Sequence, residues 1–343
     1  MPVTCVVGGQ FGSEGKGKVA LEFARMRRAV AAIRVGGANS GHTAYDERGQ
    51  AHIFRHLPTA ALLPDVKSII PAGAYLNLDL LMAEISSFGM SPARLAIDRN
   101  AVIITERERL AEEGMNERIG STQSGTGAAV IARILRDGNA RLAGDEPALA
   151  PFIGKTRTEL RAMLDRGERV ILEGTQGYGL SLLQSDEYPC ATSRDTSAAG
   201  FVSEAGLSPM GDVDEIVMVI RSHPIRVAGN SGKLPNETDW ETVRQASEAE
   251  SSLVELSSAT RRIRRVGMFD PAVVRAALEA HPTATLVLNH LDHVDAGCAD
   301  GRLTAKAAAF LEGVQAAIGS KIAYLGFCPR SVIAGELRTQ VLL

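Results

Sequence analysis

The residues best placed to do chemistry lie in Gly8-Gly9-Gln10-Phe11-Gly12-Ser13-Glu14-Gly15-Lys16-Gly17-Lys18, directly after the apolar run Val3–Val7. A strand feeding a glycine-rich turn and then a helical pattern is how a phosphate cradle is built. Glycines let the backbone approach closely, and amide N–H groups at the helix start face the anion. Lys16 adds a point charge for phosphate oxygens. The spacing departs from the standard Gly-x-x-x-x-Gly-Lys-Ser/Thr loop. Five residues separate Gly9 from Gly15, and Gly17 stands where a metal-binding hydroxyl is expected. Taken alone, the segment reads equally well as an ordinary tight turn between a strand and a helix.

Further polar clusters break that tie. Gly36-Gly37-Ala38-Asn39-Ser40-Gly41-His42-Thr43 places a histidine in a glycine-flanked turn, where an imidazole can act as an acid near neutral pH. His52 and His56 read as structural. Glu173-Gly174-Thr175-Gln176-Gly177 sets Gln176 between glycines that permit close ligand approach. Arg261-Arg262-Ile263-Arg264-Arg265 packs four arginines into five residues. Such a run is costly without anions, and planar guanidinium forks suit carboxylates. Asn289-His290-Leu291-Asp292 forms another polar turn.

These clusters need elements to hold them. The pattern predicts strands over Thr4–Val7, Val30–Val35, Lys67–Ile70, Ala101–Thr105, Arg169–Leu172, Glu215–Ile220, Thr285–Asn289 and Ile322–Leu325. It predicts helices over Lys16–Arg27, Asp79–Phe88, Ala128–Arg136, Arg157–Arg166, Trp240–Glu250, Pro271–Glu279 and Ala305–Ala317. The alternation reads as α/β, with a mostly parallel central sheet flanked by helices. Gly138–Pro151 reads as a loop. The polar clusters Gly8–Gly17, Gly36–Thr43, Glu173–Gly177, Arg221–Arg226 and Asn289–Asp295 each follow a predicted strand, and ligands of parallel sheets bind at the carboxyl ends of strands. One large composite site is therefore expected, on a single domain spanning residues 1–343.

Bulk properties exclude other classes. The net charge of −3 leaves no basic footprint for nucleic acid. No apolar run reaches the length of a membrane span, and no leader is read at Met1. The four cysteines, Cys5, Cys190, Cys298 and Cys328, are scattered without paired spacing, which suggests a reducing cytoplasm.

Together, Gln10–Lys18, Asn39–Thr43, Glu173–Gly177, Tyr188-Pro189-Cys190-Ala191-Thr192-Ser193 and the arginine run ending in Gly267 resemble the adenylosuccinate synthetase family, in order and spacing, from the first residues to near Arg330. The chain also resembles a viral branch of that family that acts on deoxyguanylate, which implies the host cytoplasm. The resemblance implies a P-loop-like fold and a two-step ligation. A nucleoside triphosphate phosphorylates the purine 6-oxygen, and the amine of L-aspartate then displaces that phosphate. It implies Mg²⁺ at Ser13 and Gly41, and a homodimer.

The resemblance places Gly12, Ser13, Glu14, Gly15, Lys16, Gly17, Asn39, Gly41, His42 and Thr43 at nucleotide phosphates, with Asn289, Asp292 and Pro329 at the donor. It places Ser13, Asn39, Ser121, Thr122, Arg136, Gln176, Thr192 and Arg226 at the acceptor nucleotide, Arg136 being lent across the dimer. It gives Thr260, Arg262, Arg264 and Arg265 to aspartate. Ser13, His42 and Gln176 are the expected catalytic residues, with His42 assisting the departing phosphate as an acid. Where the family's donor-base segment carries lysine, this chain has His290, and the downstream Ser-Thr-Gly-Pro-like turn is Gly326-Phe327-Cys328-Pro329. The expected donor is accordingly ATP or dATP rather than GTP.

Ordinary members carry aspartate at the position of Ser13, where it takes the purine N1 proton and ligates magnesium. A serine does neither well. Three readings remain open: Ser13 makes room for the 2-amino group of dGMP; IMP is still used, with water or Glu14 taking the proton; or the chain is an inactive relative or a P-loop switch. The first is the working expectation.

Overall fold

The computed structural model describes residues 2–257 and 261–329, and the backbone of 331–333. Its central sheet is built from β1 (Val3–Gly8), β2 (Ala31–Arg34), β3 (Lys67–Ile70), β4 (Leu95–Asp98), β5 (Ile153–Gly154), β6 (Val170–Glu173), β7 (Val213–Arg221), β8 (Thr285–Asn289), β9 (Ile322–Cys328) and β10 (Ser331–Ile333). The spatial order is β10-β9-β8-β7-β1-β6-β2-β3-β4-β5. Among the described residues nine strands run parallel, and β10 pairs antiparallel on the β9 edge. The expected α/β class with a mostly parallel sheet holds.

The strand centres are mostly apolar because helices cover both faces, whereas Arg34, Glu173 and Arg221 stand at the carboxyl ends of their strands. In β1 every residue is buried. Successive side chains alternate between faces. Val3, Cys5 and Val7 join the core containing Phe201 and Leu288, whereas Val6 joins the core containing Val19 and Phe23. The latter two belong to α1 (Lys16–Met26), so the glycine-rich loop is clamped between a central strand and the helix packed on it.

Two assignments differ from expectation. The stretch 101–105 yields only the short strand Val102–Ile103, which pairs with Tyr75–Leu76 outside the main sheet. The main-sheet position falls to β4. Gly138–Pro151 is not a plain loop. It carries two 3₁₀ turns, Ala143–Asp145 and Pro147–Phe152, that bury Ala143 and Leu149 before edge strand β5. Three short helices, Glu106–Ala111, Met115–Ile119 and Ala198–Ala205, were not anticipated.

Strands β8, β7, β1, β6 and β2 are consecutive neighbours, and the five polar clusters follow their carboxyl ends. Two small sheets frame this edge. The hairpin His42–Tyr45/Ala51–Phe54 stands on one side, and Ile225–Arg226, Arg265–Gly267 and Glu237–Thr238 form an antiparallel trio on the other.

Candidate active site

Three connected cavities open at the carboxyl edge of the sheet. The central one is lined by Phe11, Gly12, Ser13, Lys16, Asn39, Ser40, Gly41, His42, Thr122, Gln176, Leu180, Ile225, Arg226, Val227, Ser231, Ser257 and Arg264. It shares Asn39, Thr122 and Gln176 with a second cavity that adds Ser121, Cys190 and Thr192. It shares Ser13, Lys16, Gly41, His42 and Arg264 with a third that adds Gly15, Gly17, Lys18, Thr43, Glu255, His290, Asp292, His293 and Pro329. The five residues common to the central and third cavities form a junction where two ligands can meet.

The glycine-rich loop owes its shape to left-handed backbone. Gly15 caps α1 at φ 90° with no side-chain cap, so the first amides of the helix are left for a ligand. Ser13 (φ 58°), Gln176 (φ 63°) and His290 (φ 63°) also sit in the left-handed region, and all three line the cavities. Non-glycine residues adopt it at a cost that the surroundings must sustain, and such positions concentrate at functional sites.

Glu14 is not a ligand group. Its side chain is fully buried. Its carboxylate accepts the N–H of Gly12 (2.8 Å), the N–H of Gln10 (3.2 Å) and Lys16 Nζ (2.7 Å). A Cβ on Gly177 would come within 2.4 Å of it. This inward carboxylate braces the loop, so only the Glu14 backbone belongs to the cradle, and Glu14 is not placed to serve as a substitute base. Asn289 is corrected in the same way. It is fully buried, its Nδ2 donates to the Glu14 carbonyl (2.7 Å), and it clamps the loop rather than lining a cavity. Lys16 also donates to the Gln176 carbonyl, tying the first loop to the glutamine turn.

His42 is backed by a buried ion network. Its Nδ1 lies 2.5 Å from Glu173 Oε1, and the same oxygen accepts Arg34 Nη1 at 2.8 Å. The other carboxylate oxygen accepts Thr59 N–H (2.8 Å) and Thr59 Oγ1 (2.9 Å). Burial pulls the imidazole down to about 4, and neighbouring Arg34 adds to this against the pull of Glu173. Burial would raise the Glu173 carboxyl, but His42 and Arg34 hold it below the usual carboxylate value. An ionised carboxylate only accepts, so Nδ1 carries the proton and Nε2 bears the lone pair. The resting His42 is thus a neutral acceptor and must gain a proton before it can act as the expected acid. Glu173 and Arg34 were not assigned roles from the sequence. The available signal was a charged pair at the ends of two strands that neighbour each other in the sheet.

The arginine run divides. Arg264 alone of its three expected, described members faces the cavities, and its Nη1 lies 3.3 Å from Glu255. Arg262 is exposed and reaches Asn116 Oδ1 (2.9 Å). Arg265 turns to Glu237 (2.6 and 2.7 Å), Ser231 and Gly232. Neither lines these three cavities, and Thr260 lies outside the described residues. Arg261, not expected to contribute, lines the third cavity instead. Alternation along an extended stretch separates Arg264 from Arg265, and Arg261 sits in the left-handed region at φ 57°, so the run does not aim as one.

Arg226 is buried with its guanidinium 4.7 Å from the Phe11 ring, donating to the carbonyls of Lys233 and Cys190 (both 2.9 Å), and burial lowers it to about 10. Arg136 is the exposed C-cap of helix Thr126–Leu135, outside the cavities of its own chain. In the third cavity, burial lowers Lys18 to about 8 against the pull of Asp292, and burial raises Asp292 to about 6 against the pull of Lys18. Arg221, fully buried, donates to the Ser13 carbonyl (2.9 Å) and pairs with Glu255. Lys18, Arg221 and Glu255 were not predicted. Arg221 opens the polar cluster that follows its strand, whereas for Glu255 no local motif exists.

The arrangement, a phosphate cradle meeting a cavity with a glutamine and an arginine, suits phosphoryl transfer between two bound nucleotides. The sequence model of adenylosuccinate synthetase matches residues 5–144 and 140–298. The chain belongs to the adenylosuccinate synthetase family. It is 33% identical to the adenylosuccinate synthetase of Methanococcus aeolicus over 96% of this chain and 97% of that protein. It is likewise 33% identical to that of Methanocaldococcus jannaschii, over 98% and 97%. Among solved structures, it is similar to the succinoaminodeoxyadenylate synthetase of cyanophage S-2L, bound to dGMP and to dATP as an energy donor. That similarity has a TM-score of 0.81 at 27% identity, covering 97% of this chain and 95% of that one. The Plasmodium falciparum adenylosuccinate synthetase shares the fold, with TM-score 0.84, 18% identity and coverage of 98% and 100%. The family is one of magnesium-dependent carbon–nitrogen ligases using a purine nucleotide, aspartate and a nucleoside triphosphate. Among the described residues no helix is long and apolar enough to cross a membrane.

Proposed function

We propose that this synthetase joins L-aspartate to C6 of dGMP, with ATP or dATP as donor, giving N6-succino-2-amino-2′-deoxyadenylate. The observation that carries the reading is the junction around Ser13: no carboxylate lines the central cavity among the described residues. The short hydroxyl leaves space at the purine edge for a 2-amino group and can accept a hydrogen bond from it. The cyanophage enzyme bound to dGMP supports the same acceptor.

In this reading Lys16 and the amides at the start of α1 hold phosphates, Gln176 meets the 6-oxygen, and Asn39, Ser121, Thr122, Thr192 and Arg226 hold the acceptor. Arg264 holds an aspartate carboxylate. The 6-oxygen attacks the γ-phosphorus, the bond to the β–γ bridging oxygen breaks, and the diphosphate leaves. His42 Nε2, an acceptor at rest, takes the purine N1 proton and passes it to the leaving diphosphate. The amine of aspartate then adds at C6, the C6–O bond breaks, and phosphate leaves with the proton lost by the amine. Ser13 and Gly41 offer neutral oxygens at the junction, which fits Mg²⁺ held chiefly by substrate phosphates. When bound, the ion neutralises charge on the transferring group.

Two chains complete the site. Ile131 (61% exposed), Ile134 (67%) and Leu135 (62%) form one apolar stripe beside Arg136. That stripe suits burial against a second copy that receives Arg136.

One observation favours IMP as acceptor instead: the chain is 33% identical to archaeal adenylosuccinate synthetases over nearly its whole length. Phosphate release with Mg²⁺, ATP and L-aspartate, compared for dGMP, GMP and IMP, decides between them. Aspartate-dependent release with dGMP and little with IMP supports the proposal. Release with IMP alone refutes it.

A further inference from the structure

Behind the glycine-rich loop, three metal-ligating side chains converge that neither the phosphate cradle nor the acceptor cavity uses. The ligand atoms of Glu255, His290 and His293 all lie within 4.8 Å of one another. The imidazoles sit at either end of one short turn, ring centroids 5.0 Å apart, because His290 adopts the left-handed conformation ahead of Leu291–His293. Nδ1 of each ring is buried without a hydrogen-bond partner. All three residues line the third cavity.

We propose that Glu255, His290 and His293 bind a d-block divalent cation, with zinc as the reference ion, and that this ion competes with the donor nucleotide. The competition rests on the reading of the third cavity as the donor site. Two imidazoles and one carboxylate select zinc or its neighbours over magnesium, which prefers all-oxygen shells. Three protein ligands leave a fourth position open toward the cavity, as at exchangeable zinc sites.

The surrounding charges set the strength. Arg221 and Arg264 both donate to Glu255 and Lys18 stands nearby, whereas Asp292 faces the same space with Oδ1 buried and unpartnered. The two guanidiniums weaken the carboxylate as a ligand, which makes the ion exchangeable rather than structural.

The test is a cobalt(II) titration of the full chain followed by visible absorption, for wild type, His290→Asn and His293→Gln. Asparagine tolerates the left-handed backbone at position 290, so that variant keeps the fold if the buried His293→Gln does not. One equivalent of cobalt with ligand-field bands, weakened at least about tenfold in the variants, is expected. No bands, or unchanged affinity in His290→Asn, overturns the site. Calorimetric binding of Mg-ATP at free zinc fixed by a chelator buffer tests the competition. The apparent Kd should rise in proportion to free zinc, and a Kd indifferent to zinc overturns it. Mg-ATP binding to the metal-free protein is a separate readout: its absence defeats the donor reading while leaving the cobalt result standing.

Discussion

Replacing Glu173 by glutamine tests the geometry behind His42. In the native chain one carboxylate oxygen receives His42 Nδ1 and Arg34 Nη1, and the other receives the N–H and Oγ1 of Thr59. Every partner is a donor. A glutamine has one accepting oxygen and one NH₂, so in either orientation the NH₂ faces a donor. The substitution also leaves buried Arg34 without its counter-charge, a loss worth about 3–5 kcal/mol. At ~2 cal/mol/K of unfolding entropy per residue, 343 residues make 1 kcal/mol worth about 1.4 °C. The melting temperature should therefore fall by about 4–7 °C. Without a carboxylate to hold the Nδ1 proton, Nε2 no longer reliably presents its lone pair, and kcat should fall by about 10²–10⁴ with the nucleotide KM values little changed. Phosphate release under saturating substrates and a thermal melt measure both. A kcat within about threefold of wild type, alongside the melting shift, would show that the pair stabilises the fold but does not orient a catalytic imidazole. No melting shift would refute the ion-pair account itself.

Other outcomes follow from the same structure. Ser13→Asp keeps a residue type that tolerates φ 58° and should shift acceptor preference from dGMP toward IMP, raising IMP turnover by about 10²–10³; an unchanged dGMP/IMP ratio would remove Ser13 from acceptor selection. Burial depresses His42 to about 4, His56 to about 3 and His223 to about 3, below the unfolded value near 6.5. The unfolded chain then binds more protons as pH falls, so stability should be level above pH ~6.5 and decline progressively toward pH ~4 in denaturant titrations; a flat profile over that window would contradict the buried neutral imidazoles. Ile134→Asp places a charge on the exposed stripe beside Arg136 and should yield a folded monomer by light scattering, with activity reduced by about 10²-fold or more; a wild type that is itself monomeric and active would refute the shared site. Asn289→Ala removes the clamp on the Glu14 carbonyl and should cost about 1–3 kcal/mol, read by urea unfolding; a loss under about 0.5 kcal/mol would mean the loop holds its shape without it.

The sequence by itself determined the α/β class, most strands and the order of the motif loops, because these follow from apolar runs, glycine spacing and helix periodicity that act locally. It also identified which loops converge, since polar clusters after parallel strands share an edge. The sequence did not distinguish side chains that face a ligand from those that hold the loops. Glu14 and Asn289 sit within motifs yet turn inward, and Arg262 and Arg265 turn away while Arg264 and Arg261 face the cavities. The pairings His42–Glu173, Arg34–Glu173 and Arg221–Glu255 join residues 131, 139 and 34 positions apart. Their partners are chosen by strand order and burial. A buried charge must find its counter-charge wherever the packed sheet brings one within reach, and only the tertiary structure fixes where that is.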